Sequence, residues 1–265
     1  MQARAPYVCC FTALVVLFFI APYASGNTIS SDQGSHSQVS RQPDAEVSRL
    51  ANQLKSADEE ARRDAAFQLT QLKGDAASAA LVSALTDPSP RVRAAVAAAL
   101  GERNEQPVES SLASRLFADK DKFVRKTIAY ALAGFSGSDR TAALVSALKD
   151  KDQEVRGAAA VSLGDHADAS AVNALSTALS DKSPFVRAQA AHALGVNKRD
   201  AMKAVPALIN VLEKDSDEEA KRQAATALGQ IGNRSSLPAL ERARRDKDPY
   251  LVRAAIDAIK TIEGS

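Results

Sequence analysis

Between Asp44 and Gly264 the apolar positions follow a helical period nested inside a much longer one. Groups such as Ala80, Leu81, Ala84 and Leu85, or Leu144, Val145 and Leu148, or Leu208, Ile209 and Leu212, hold the three-and-four spacing of one helix face. A short polar turn follows each, and then a second stripe at i, i+4 and i+8: Val92, Val96, Leu100; Val124, Ile128, Leu132; Val155, Ala159, Leu163; Val186, Ala190, Leu194; Ala220, Ala224, Leu228. The pattern predicts pairs of short helices, repeated about seven times, and no sheet.

Polar residues mark where each second helix begins. Asp58, Ser89, Asp121, Asp152, Ser183, Asp217 and Asp248 stand at the predicted N-cap, where a side-chain oxygen accepts from free backbone N–H groups. Pro90, Pro184 and Pro249 follow three of these caps, at the helical position where a missing N–H costs nothing. Glu59, Glu60, Glu154, Glu218 and Glu219 place negative charge in first turns, as the helix dipole favours. Gly101, Gly164, Gly195 and Gly229 come directly after the last Leu of the stripe, where absence of a side chain either lets a neighbouring backbone approach or ends the helix.

The long period is set by an Asp column, Asp87, Asp119, Asp150, Asp181, Asp215 and Asp246, spaced by 32, 31, 31, 34 and 31 residues. Six residues after each of the first five stands a base: Arg93, Arg125, Arg156, Arg187 and Lys221. Such self-similarity belongs to solenoids, in which each unit is too small to bury its own apolar face and stacks on its neighbours. The strings from Asp150 to Gly164 and from Asp181 to Gly195 keep Asp-x-x-x-x-Val-Arg-x-x-Ala-Ala-x-Ala-Leu-Gly nearly intact. They resemble HEAT-like repeats of the phycobilisome-lyase type, over about 220 of the 265 residues. The resemblance implies an all-α, right-handed α-solenoid of about seven helical hairpins. It also implies a structural ladder in which the turn Asp and helix Arg tie successive repeats together. At the ends the columns depart from the pattern: Ser56 replaces the first Asp while Arg62 remains, and Val252 takes the last basic position with Arg253 one residue late. A finite array has outer repeats without neighbours, so atypical ends are expected.

Composition fits thin, closely packed helices: 45% hydrophobic, mostly Ala, Leu and Val, with 8 Phe, 4 Tyr and no Trp. The first 26 residues differ. Arg4 is their single charge, Val8 to Ile20 is apolar apart from Thr12, and Ala24-Ser25-Gly26 supplies the small residues of a signal-peptidase site, which predicts a cleaved signal peptide over 1–26 and an exported protein. An uncleaved N-terminal anchor is the alternative. Residues 27–43 read as a disordered polar linker, and 44–265 as the repeat array. Both cysteines, Cys9 and Cys10, lie in the apolar run, so the array has no thiol chemistry. Without residues 1–26 the chain has 33 basic and 32 acidic side chains, a balance that gives no reason to expect nucleic acid or an anionic membrane as ligand.

No catalytic constellation is expected. The resemblance also reaches bilin lyases and deoxyhypusine hydroxylase, and an accessory or diverged relative of such enzymes is the alternative function. The hydroxylase's His-Glu pairs have no counterpart, however, since the array holds only His166 and His192 and no His-Glu dipeptide. No metal or other cofactor is expected, and Asp165-His166 in a predicted turn is a weak dyad. The resemblance places certain second-helix positions on the concave surface: Phe123, Lys126 and Tyr130; Phe185, Gln189 and His192; Arg222 and Gln223; Tyr250 and Arg253. Aromatic, basic and amide side chains on one stacked surface suit a protein or peptide partner. Against this stands the alternative that Phe123, Phe185 and Tyr250, which share one column, only wedge between repeats. The expectation is an exported, non-enzymatic scaffold or adaptor.

Overall fold

The computed structural model describes residues 43–105, 108–165 and 168–264. The expected signal peptide, nearly all of the expected linker, both cysteines and His166 lie outside the described residues. Within them the chain is an all-α solenoid of seven helical hairpins. The first repeat is α1 (Pro43–Gln53) and α2 (Glu59–Thr70), the second α3 (Asp75–Ala84) and α4 (Pro90–Arg103), and the third α5 (Glu109–Ala118) and α6 (Lys122–Ala131). Then come α7 (Ser138–Ala147) with α8 (Gln153–Gly164), and α9 (Ala169–Ala178) with α10 (Pro184–Val196). The last two are α11 (Val205–Lys214) with α12 (Glu218–Ile231), and α13 (Leu237–Ala243) with α14 (Pro249–Glu263). No strand occurs among the described residues.

The even-numbered helices start where the polar residues direct. Asp121 accepts from the backbone N–H of Phe123 at 2.8 Å, Asp152 from Glu154 at 2.9 Å, and Asp217 from Ala220 at 2.9 Å. Ser183 occupies the same position differently: its hydroxyl donates to Oε1 of Gln153 at 2.8 Å, one repeat back, and leaves the N–H groups of α10 without a side-chain cap.

Two layers result. The second helices pack against one another at every step, α2 on α4 and so on to α14. Their stripe of Val, Ile, Ala and Leu is buried between the layers. The glycine column explains the close approach. A methyl group at Gly101 would lie 2.7 Å from Cβ of Ala131, and one at Gly229 would lie 2.7 Å from Cα of Ala258. Gly101, Gly195 and Gly229 lie inside helices, so the close-approach reading holds for them rather than helix termination. The first helices are less continuous: α3 and α5 barely meet, and the 3₁₀ segment Lys198–Ala204 is inserted between α9 and α11.

Candidate functional site: the second-helix face

The ladder runs along the turns that join first and second helices. Each Asp carboxylate first orders its own turn. Oδ1 of Asp119 accepts from the N–H of Asp121 at 2.9 Å, and the same Asx turn recurs at Asp87, Asp150, Asp181, Asp215 and Asp246. The Arg six residues on divides its guanidinium. In Arg93, Nη1 donates to the carbonyls of Asp87 and Pro88 in its own turn, while Nε and Nη2 reach forward to the Asp119 carboxylate at 2.7 and 2.8 Å. The same fork joins Arg125 to Asp150, Arg156 to Asp181 and Arg187 to Asp215. Arg62 adds a rung to Asp87 from the first repeat.

Burial alone would raise the carboxyl of Asp119, yet the bonds from Arg93, the Asp121 N–H and Arg115 outweigh it and hold the group down at about 2. Asp150, Asp181 and Asp215 are likewise depressed, their Arg partners overcoming the effect of burial. Lys221 departs from this geometry, because its Nζ lies 4.0 Å from Asp246 and 3.5 Å from Glu218. A compact ammonium cannot make the two-bond fork.

The candidate partner-binding residues lie on the side of the second helices turned away from the first. Taking Val124, Val186 and Ala220 as register zero, Phe123 and Phe185 stand at −1, Lys126 and Arg222 at +2, Gln189 and Gln223 at +3, and Tyr130 and His192 at +6. Tyr250 is at −1 and Arg253 at +2 from Leu251. Gln189, Arg222, Gln223 and Lys126 are half-buried, while His192 and Arg253 are exposed. Exposure reaches 46% for Phe123, 38% for Tyr130, 43% for Phe185 and 71% for Tyr250.

Position +2 of one repeat meets position −1 of the next. Lys126 Nζ lies 2.8 Å from Oε2 of Glu154. The Phe185 ring covers Gly157 so closely that a Cβ there would lie 2.2 Å from the ring. The Arg222 guanidinium sits 5.1 Å from the Tyr250 ring centroid, with Nε bonded to Asp248 at 2.7 Å. These aromatics are therefore both wedges and exposed surface. Arg222 thus ties α12 to α14, and Arg253 turns to Asp257 on its own helix at 2.8 Å.

Sequence reasoning missed three features. Phe67, 62% exposed, holds position +6 of the first repeat, in line with Tyr130 and His192. Counting six residues from Ala61, as from Val124 to Tyr130, would have found it. Arg103 donates to the carbonyls of Leu69, Leu72 and Gly74 and to the Ser78 hydroxyl, so it closes the end of α2 from two helices away. Arg140, fully buried, donates to the carbonyls of Leu132 and Ser162, and Glu109 accepts from its backbone N–H at 2.6 Å. Neither arginine belongs to the repeating column, so periodicity could not reveal them.

Among the described residues no three His, Cys, Asp or Glu side chains cluster to hold a metal ion, and no helix is long and apolar enough to cross a membrane. No curated protein sequence matches the chain significantly. Solved structures do. The YibA protein of Escherichia coli superposes with a TM-score of 0.59 at 22% identity, covering 84% of this chain and 82% of that one. An engineered protein gives 0.54 at 24% identity over 82% of this chain and 68% of its own. The complex of CpcE and CpcF of phycocyanin lyase from Nostoc sp. PCC7120 gives 0.50 at 20% identity, covering 91% of this chain and 99% of that one. At these identities the likeness establishes the fold. The HEAT-repeat family model matches residues 47–133, 141–206 and 205–265, most of the array, and the chain belongs to the HEAT-repeat family.

Proposed function

We propose that the protein is an exported scaffold or adaptor, without chemistry of its own, that holds a protein or peptide partner on the concave face formed by its second helices. The observation that carries this reading is the exposed row Phe67, Tyr130 and His192, one side chain from each of three repeats at the same register. Large exposed aromatics in line are a composition favoured at interface cores, and burial of each ring removes apolar surface from water. Export rests on the sequence of residues 1–26, whose lone Arg4, apolar run and Ala24-Ser25-Gly26 have the form of a signal peptide.

Crosslinked pull-down from the exported fraction tests the reading, with Tyr130→Glu and His192→Glu as comparison baits. Selective loss of a partner from variants that melt like the parent is the expected result. Equal capture by all baits would remove this face as the binding surface.

A further inference from the structure

The second-helix face carries its own counter-charges. Arg63, Arg91, Lys122, Lys126, Arg222 and Arg253 each have a carboxylate within 4.0 Å: Glu60, Glu59, Asp152, Glu154, Asp248 and Asp257 respectively. An acidic segment laid on this face would compete with these pairs instead of meeting free cations. The charge complement of a self-compensated surface is an uncharged ligand.

The exposed row at position +6 alternates in size. Over its first five positions it runs Phe67, Ala98, Tyr130, Val161, His192, with Ala98 and Val161 half-buried between larger exposed neighbours, and Thr226 and Asp257 continue the register without a ring. Adjacent second helices lie ~8–10 Å apart, so the row repeats a ring every second helix with a notch between. A polyproline II helix returns to the same face every three residues, an advance of ~9 Å at ~3.1 Å per residue. It therefore stays in step with one position per repeat. A β-strand presents a side chain on one face every ~6.7 Å and an α-helix every ~5.4 Å, so neither offers one residue to each repeat in turn. Proline also stacks on aromatic rings and comes with its extended backbone pre-formed, which lowers the entropy lost on binding.

Resting on the reading of this face as the binding surface, we propose that its ligand is an uncharged, proline-rich segment in the polyproline II conformation. The segment runs along the array axis, with every third residue placed in turn against a ring and in a notch.

Fluorescence anisotropy on the purified full chain tests this with a labelled, uncharged peptide carrying proline at every third position. The comparison peptides have the same length: one with glycine for proline, one acidic, one basic and one amphipathic and helical. Binding of the proline peptide is expected to change less than about two-fold between about 0.05 and 0.5 M salt. It should weaken about ten-fold or more in Tyr130→Ala and in Phe67→Ala, while Phe117→Ala on a first helix leaves it unchanged. Equal affinity for the glycine peptide, tighter binding of the acidic, basic or helical peptide, or no binding of the proline peptide overturns the proposal. If the proline peptide fails while Tyr130→Glu still loses the pulled-down partner, the ligand class is wrong and the face stands. If Tyr130→Glu retains that partner, the face itself is wrong.

Discussion

Nζ of Lys221 stops 4.0 Å from Oδ2 of Asp246, whereas Nε and Nη2 of Arg187 reach the two oxygens of Asp215 at 2.6 and 2.5 Å. Five rungs thus close as forks and the sixth does not. Lys221→Arg supplies the planar donor pair that the position lacks, opposite a carboxylate already oriented by the Asp248 N–H. A gain of about 1 kcal/mol is expected, read as a higher denaturant midpoint at unchanged slope. A loss of stability would mean that the contact of Lys221 with Glu218 matters more than the open rung.

The interior rungs are tied on both sides and the last arginine is not. Arg156→Ala leaves the half-buried Asp181 without its guanidinium and frees the carbonyls of Asp150 and Lys151, so a loss of about 2 kcal/mol is expected. Arg253 is exposed and bonds only Asp257 among the described contacts, and Arg253→Ala should cost no more than about 0.5 kcal/mol. Urea melts of the two variants compare them. Equal, small losses would show that the rungs decorate the array and do not hold it.

Much of the fold was legible because the repeat states it seven times. The Val and Leu stripes, the cap residues and the Asp column mark each hairpin, and a periodic signal averages over local exceptions such as Ser183. The direction in which each arginine reaches is not in the spacing. Asp87 lies six residues before Arg93, yet only its carbonyl meets that side chain, and the carboxylate bond crosses to Asp119. Arg103 and Arg140 were illegible for the opposite reason, since each mends one irregular junction and recurs nowhere. At the candidate site the register of Tyr130 and His192 could be read, but the engagement of Arg222 with Asp248 and Tyr250 could not. It depends on a neighbour 26 residues away that only stacking brings near.

Gly229 inside α12 and Gly232 at its C-cap separate two reasons for glycine. Inside α12, alanine normally gains about 1 kcal/mol over glycine, but at Gly229 its methyl would lie 2.7 Å from both Cα and Cβ of Ala258. Gly229→Ala should therefore lose about 1–3 kcal/mol by overpacking, and the second change Ala258→Gly should recover part of it. Gly232 has φ 76° and nothing within 4 Å of a built Cβ. Gly232→Ala should cost about 1 kcal/mol through backbone strain alone, with no recovery from Ala258→Gly. Thermal melts of the four variants distinguish the cases.

Acid should dissolve the ladder before it touches the apolar layer. Asp119 is held down from 3.8 to about 2 in the folded chain, and Asp150, Asp181 and Asp215 are shifted in the same direction. A carboxyl with a depressed folded-state value binds its proton more readily when unfolded. Its contribution is complete above the unfolded value and disappears as pH falls through the folded one. For Asp119 the shift corresponds to about 2 kcal/mol, lost between about pH 4 and pH 2. Stability from urea melts should be flat above about pH 5 and fall steeply below about pH 4. In Asp119→Asn the fall should be shallower, because one depressed carboxyl has been removed, although the variant starts from a lower plateau. An unchanged slope in Asp119→Asn would place the acid sensitivity outside the ladder.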